Sequence, residues 1–383
     1  MVHSVNSIPP LDLARQYTII EAEVSDAVLG VLASGGYIGG SRVLGFEQQF
    51  AAYLSVSECV ACNSGTDALY LALRALEIGP GDEVITTPFT FFATAEVISA
   101  VGATPVFVDI DAQTFNIDVE QVVTAITDKT RAIIPVHLFG HPVDMTALMA
   151  IAQSHQLAVI EDCAQSTGAE WMGQKVGSIG HIGCFSFYPT KNLGACGDGG
   201  AVTTNDPAIA AKMRMLREHG EKTRYCHHEI GVNSRLDALQ AAILQIKLRY
   251  LDTWNDQRRA IAARYNQFLK LVPDLVTPQD LPGAQGVWNQ YTIRISSDQG
   301  GDSTAVSYRD NVHSLLQQRG VGSMIYYPQP LHLQPVYKYL GYELGQLPVA
   351  EQACHEVLSL PMFPELSIEQ QEQVIYSLKN CLN

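Results

Sequence analysis

The stretch Leu157-Ala158-Val159-Ile160-Glu161-Asp162-Cys163-Ala164-Gln165 decides the reading of the fold. Four apolar residues read as a buried strand that carries two carboxylates to its C-terminal tip. Before it, β-rich runs at residues 57–62, 83–87, 104–108 and 132–136 alternate with helical patterns at 65–76, 93–101, 119–126 and 145–154. Residues 184–187 and 200–203 read as further strands. Strands separated by helices imply βαβ units, an α/β fold with a mainly parallel sheet sandwiched by helices. Ligands of such sheets sit beyond the C-terminal ends of the strands. After the amphipathic segment 236–251 the character changes to a helix at 258–271, a Pro/Gly-rich stretch, a strand at 290–295 and a helix at 308–318. The expectation is a large ligand-binding domain over 1–250 and a smaller C-terminal α+β domain over 251–383.

Composition narrows the partners. Of 383 residues, 47% are hydrophobic and 16% charged, which excludes a disordered chain. Against 39 acidic residues stand 24 basic ones, a net charge of −15 that disfavours nucleic acid and anionic membrane. No apolar run reaches the roughly 18–20 residues of a membrane span. Residues 1–10 show neither a basic nor an apolar leader region, so no secretory signal is expected. Eight scattered cysteines suggest reduced thiols in a cytoplasmic protein. Cys59 and Cys62 form a CxxC, but no second pair follows at zinc-ribbon spacing.

Three segments carry chemistry. In Asn63-Ser64-Gly65-Thr66-Asp67-Ala68 a strand runs into a helix through small polar residues, leaving backbone N–H groups free for a phosphate or making an ordinary N-cap. The buried-type Asp162 needs a positive partner, which a protonated pyridine nitrogen, a salt bridge or a helix terminus would supply. In Ser186-Phe187-Tyr188-Pro189-Thr190-Lys191 a lysine stands between a strand and the glycine-rich loop 194–200, where a lowered pKa would let its amine form a Schiff base. The lysine precedes the glycines, so this is no P-loop, and no GxGxxG follows a strand.

With these motifs the chain resembles the DegT-type nucleotide-sugar aminotransferases, fold-type I pyridoxal-phosphate enzymes. The resemblance runs from Leu11-Asp12-Leu13 and Gly36-Tyr37-Ile38-Gly39-Gly40 through Pro88-Phe89-Thr90-Phe91 and the segments above to Gly231-Val232-Asn233-Ser234-Arg235-Leu236 and Leu358-Ser359-Leu360-Pro361. It implies pyridoxal 5′-phosphate as cofactor, bound covalently by Lys191. Asp162 would keep the ring nitrogen protonated, Gln165 would bond the phenolic oxygen and Phe91 would stack on the ring. Gly65, Thr66 and Ser186 would hold the phosphate. Asn233 would reach the phosphate of the neighbouring subunit, implying a homodimer with shared active sites. Arg235, Tyr326 and His332 are candidate substrate contacts.

Members that aminate a 4-keto sugar commonly carry a histidine three residues before the lysine. Here Tyr188 stands there, and with Gln165 it points to a C3-keto sugar, Tyr188 assisting proton transfer. The implied substrates are a nucleotide-diphosphate keto sugar and an amino-acid donor, glutamate by resemblance. Amination at C4, a pyridoxamine-dependent dehydratase and a non-enzymatic regulator on the same fold are the alternatives; Lys191 weighs against the dehydratase. His137 and His141 are read as structural, because Gly140 and Pro142 break any helix that would align them on a metal.

Overall fold

The computed structural model describes residues 7–296 and 307–382. Seven strands form its central sheet: β1 (Glu58–Cys62), β2 (Glu83–Thr86), β3 (Thr104–Phe107), β4 (Thr130–Ile133), β5 (Ala158–Asp162), β6 (Ile182–Ser186) and β7 (Gly200–Thr204). Their order across the sheet is β1-β7-β6-β5-β4-β2-β3. The pairs β3/β2, β2/β4, β4/β5 and β5/β6 are parallel. Only β7 runs against its neighbours β6 and β1. The carboxyl ends of the six other strands and the start of β7 therefore meet at one edge.

Alternation along the strands feeds two cores. Val60, Cys62, Ile160 and Val202 face the helices α3 (Gly65–Ala75), α4 (Ala93–Ala100) and α7 (Pro207–Leu216). On the other face, Cys59, Ala61, Phe185 and Ala201 pack on α2 (Gly40–Leu54) and α8 (Ala238–Leu248). Ile85, Ile133 and Val159 continue that face against α5 (Val119–Ala125) and α6 (Met145–His155). Side chains of period two buried on both sides are what a parallel sheet between helical layers requires.

The C-terminal region is built on an antiparallel sheet, β8 (Leu275–Val276), β9 (Tyr291–Ile295) and β10 (Val357–Leu360). Around it lie α9 (Leu251–Leu269), α10 (Tyr308–Gln318), α11 (Pro348–Glu356) and α12 (Ile368–Leu382). Its core also takes Ile8, whose backbone bridges to Val321. Residues near the N-terminus thus pack with the C-terminal elements.

Two stretches differ from the sequence reading. The first helix of the C-terminal region, α9, starts at Leu251, not at 258, because its buried stripe includes Asn255 and Arg258, polar residues that hide the period. Residues 13–54 form α1 (Leu13–Ser34) and α2, which the alternation did not reveal. On α1, Leu13, Tyr17, Ile19, Leu29 and Leu32 are exposed, which blurs the helical pattern. Among the described residues no helix is long and apolar enough to cross a membrane.

Candidate active site

The sheet edge gathers the motifs. β1 leads through Asn63 to Ser64, the N-cap of α3, whose Oγ accepts from the Asp67 amide at 3.1 Å. The tips of β5 and β6 present Asp162 and Ser186, and Gly200 pairs with both Ser186 and Cys62. Two glycines allow this crowding. A Cβ on Gly65 would lie 2.6 Å from Ser186 Cβ, and one on Gly200 would lie 2.3 Å from the Ser64 carbonyl oxygen. Gly200→Ala is therefore expected to push α3 off the sheet and lower stability by about 1–3 kcal/mol, read by denaturant unfolding.

A cavity of about 620 Å³ opens between these groups. Its wall includes Ser64, Gly65, Thr66, Phe91, Asp162, Gln165, Ser186, Tyr188, Lys191 and Tyr326. Asp162 is buried; its Oδ1 accepts from the Ala164 amide at 3.1 Å and its Oδ2 from Thr94 Oγ1 at 2.9 Å. Burial pushes its carboxyl above the usual range, against the pull of these donors and of Lys191. Burial also brings the Lys191 amine down to about 8, with Asp162 holding it partly up. An amine so placed is a free base over part of the neutral range, which is what nucleophilic attack needs.

Gln165 is locked. Its Oε1 accepts from the Phe139 amide at 2.6 Å, so Nε2 is turned to Tyr327, whose hydroxyl lies 3.2 Å away. Phe91 and Tyr188 line the cavity at its rim, 60% and 52% exposed.

Three candidates lie outside this cavity. Asn233 is exposed on the segment that bridges back to Glu218, and Arg235 pairs with Glu218 at 3.3 Å. His332 is buried, 3.1 Å from Glu351 and away from the cavity wall. Conversely, Thr90, Thr94, Asp198, Gln290 and Tyr327 line the cavity without having been singled out. Tyr327 adjoins Tyr326 and Asp198 sits in the glycine loop, so both carried a positional signal. Thr94 and Gln290 carried none, since only the fold brings them to Asp162 and Lys191.

A family model, the DegT/DnrJ/EryC1/StrS aminotransferase family, matches residues 18–379. The chain belongs to that family. The motif resemblance had pointed to it. A Geobacillus stearothermophilus protein named "pleiotropic regulatory protein" is 51% identical over 371 residues, covering 96% of this chain and 97% of its own. The UDP-N-acetyl-3-dehydro-alpha-D-glucosamine 3-aminotransferase of Acidithiobacillus ferrooxidans is 45% identical, covering 98% of both chains. The structure of S. venezuelae DesV in complex with a ketimine intermediate matches with a TM-score of 0.93 at 44% identity, covering 98% of this chain and 99% of DesV. NtdA from Bacillus subtilis, with bound cofactor PMP, matches at 0.90 and 31% identity over 100% of this chain and 86% of NtdA.

In this aminotransferase the second carboxylate of the β5 tip has a different task. Glu161 is buried and accepts from the amides of Gly177, Ile179 and Gly180 at 2.8, 2.9 and 2.6 Å. His137 Nδ1 accepts from the Val143 amide at 3.0 Å, so the ring proton sits on Nε2, which donates to Glu161 at 3.0 Å. Glu161, His137 and Cys163 lie close enough to hold a metal, but the carboxylate and both ring nitrogens are already engaged. Glu161→Ala is expected to cost about 3–5 kcal/mol of stability, measured by denaturant unfolding, while whatever protein remains folded keeps its cofactor absorbance.

Proposed function

We propose that this aminotransferase uses pyridoxal 5′-phosphate to place an amino group on the C3 keto carbon of a nucleotide-diphosphate-linked sugar. Glutamate is the amino donor, and the product serves amino-sugar and polysaccharide biosynthesis. The observation that carries the reading is Lys191 and Asp162 facing one cavity, with the α3 N-terminus and Ser186 in its wall. These residues fit the cofactor. Among the described residues no lysine or arginine forms an ion pair with the buried Asp162 carboxylate, and a pyridinium nitrogen would provide a cationic partner. The first turn of α3 and the hydroxyls of Ser64, Thr66 and Ser186 offer donors to a phosphate.

The cofactor, when bound, supplies an electron sink and carries the amino group between the two substrates. Lys191 Nζ would hold it covalently and would move the proton at the reacting carbon. Asp162 would keep a proton on the ring nitrogen, Gln165 Nε2 would bond the ring oxygen and Phe91 would cover one ring face. Tyr188, at the rim beside the lysine, assists proton transfer near the sugar, and Tyr326 contacts substrate. The cofactor domain ends near residue 250, and the part after it closes the cavity with Gln290, Tyr326 and Tyr327. The Acidithiobacillus relative, named for amination at position 3, supports C3, as do Tyr188 and Gln165. All eight cysteines are unpaired, which supports a cytoplasmic setting.

The active sites are shared in a homodimer. Exposed Tyr225 and Ile230 on the segment before Asn233, and exposed Leu29, Leu32 and Ile38, the last bridged to Asp237, leave apolar surface to cover. Light scattering is expected to give twice the chain mass, and Asn233→Ala to lose cofactor several-fold faster on dialysis.

One observation favours a second reading, a regulator on the same scaffold: the name of the Geobacillus relative. Incubating the loaded full chain with glutamate and a panel of 3-keto and 4-keto nucleotide sugars separates the readings. Product carrying its new amine at C3 is expected. An amine at C4 would transfer the assignment to the 4-keto class, and no product from any sugar would favour the regulator.

A further inference from the structure

Among the residues that no role above uses, two buried hydroxyls end on the Asp162 carboxylate. We propose that Thr90 and Thr94 form a one-way hydrogen-bond relay that keeps Asp162 ionised and aimed at the ring nitrogen, which makes Thr94 a positioning residue of the reaction. The proposal rests on the cofactor reading above.

The direction of the relay follows from counting protons. Thr94 Oγ1 lies 2.9 Å from Asp162 Oδ2. An ionised carboxylate only accepts, so the single hydroxyl proton of Thr94 goes to Asp162. Thr94 and Thr90 Oγ1 are 3.2 Å apart. With its own proton spent, Thr94 can only accept there, and Thr90 must donate. Both protons run toward the carboxylate, and a donor that is itself hydrogen-bonded is a stronger donor.

The site needs this. Asp162 is 4% exposed, and burial drives a carboxyl toward its neutral form. A neutral carboxyl would no longer hold a proton on the ring nitrogen. The other groups around it offer less. Lys191 faces it across the cavity, and its amine would be committed to holding the cofactor. His137 is engaged by Glu161 and Val143. The Cys163 and Cys184 thiols are pushed up by burial and stay neutral, and the buried Tyr327 phenol likewise. Among the described residues Thr94 is the one side chain that donates to Asp162; the other donor is the Ala164 amide. Thr90 stands in the loop before α4 and Thr94 in its first turn, and the turn into the helix brings the two hydroxyls together.

The test compares Thr94→Val, which keeps the shape and deletes the hydroxyl, with Thr94→Ser, which keeps the hydroxyl and deletes the methyl. Full-length protein loaded with pyridoxal 5′-phosphate is read three ways: kcat and KM with glutamate, the pH midpoint of the visible absorbance, and thermal unfolding. Thr94→Val is expected to lower kcat about tenfold, the worth of one hydrogen bond to a charged group, with little change in KM. Its absorbance midpoint is expected to move by at least about half a pH unit, since the charge state of Asp162 has changed. Thr94→Ser is expected to stay within about twofold of the parent. Equal losses in the two variants, or an unmoved midpoint in Thr94→Val, overturn the relay. Should Thr94→Val fail to fold, Thr90→Val takes its place, with a loss of about two- to threefold and a smaller midpoint shift expected; no shift overturns the relay. The cofactor reading is judged separately, by whether the parent develops a visible band that Lys191→Ala lacks.

Discussion

Lys191→Ala is expected to remove the visible absorbance of the protein loaded with pyridoxal 5′-phosphate and to lower kcat by about 10³–10⁴-fold. Two functions vanish with one amine, the covalent hold on the cofactor and the proton shuttle at the reacting carbon, and positioned acid–base catalysis alone is worth up to about 10⁴. The fold should persist, because the side chain lies at a cavity wall and, among the described residues, makes no hydrogen bond or ion pair that ties two elements together. The pH dependence has a definite sign. Burial brings the Lys191 amine down to about 8, so cofactor-free protein should capture the cofactor faster as pH rises through that value, when the free base becomes the major form. A capture rate that is flat from pH 6 to 9, in about the span that brackets this value, would mean that the amine is not the group being titrated. An intact visible band in the alanine variant would remove the covalent assignment altogether.

Asp162→Asn is the second large effect, and its two consequences have opposite signs. The amide carries no charge to stabilise a protonated ring nitrogen, so kcat should fall by about 10²–10³-fold, the cost of deleting one partner of a buried charge pair. Stability of the cofactor-free protein should rise or stay level. The carboxyl is held above its unfolded value by burial, so the folded state binds this proton more tightly than the unfolded chain does. Its contribution to stability is therefore present at acid pH and is lost as pH rises through the folded value, leaving a buried charge that costs stability at neutral pH. Asparagine removes that cost. Thermal unfolding at neutral pH, without cofactor, should show Asp162→Asn melting at or above the parent. A variant that is both inactive and markedly less stable would instead assign Asp162 a structural role like that of Glu161.

The contrast between these adjacent carboxylates marks the limit of reading residues in order. Both sit at the end of an apolar strand, and the sequence offers no sign of which one faces the cavity. The pleat turns them to opposite sides of the sheet. Glu161 then meets three loop amides and His137, and Asp162 meets Thr94 and the cavity. The resemblance to a family supplied the choice; local chemistry would not have. His332 illustrates the reverse error of emphasis. Its motif lies near Tyr326 and Tyr327, but the chain turns at Leu331–Leu333 and buries the ring beside Glu351.

What the amino-acid order determined alone is the alternation of strand and helix, the small residues where β1 enters α3, and the lysine placed before its glycine loop. These are local facts, written in hydrophobic period and turn chemistry, and they survive any arrangement of the elements. Only the tertiary structure decided which residues share the cavity. Sheet order sets β1, β6 and β7 side by side although 120 or more residues separate the first from the others in sequence, and long-range pairing of that kind leaves no local trace. The same holds for Thr94 and Tyr327, which reach Asp162 and Gln165 from distant parts of the chain. Helix α9 was misplaced for a related reason: a buried Arg258 that donates to the carbonyls of Trp288, Asn289 and Met362 reads as surface until its partners are in place.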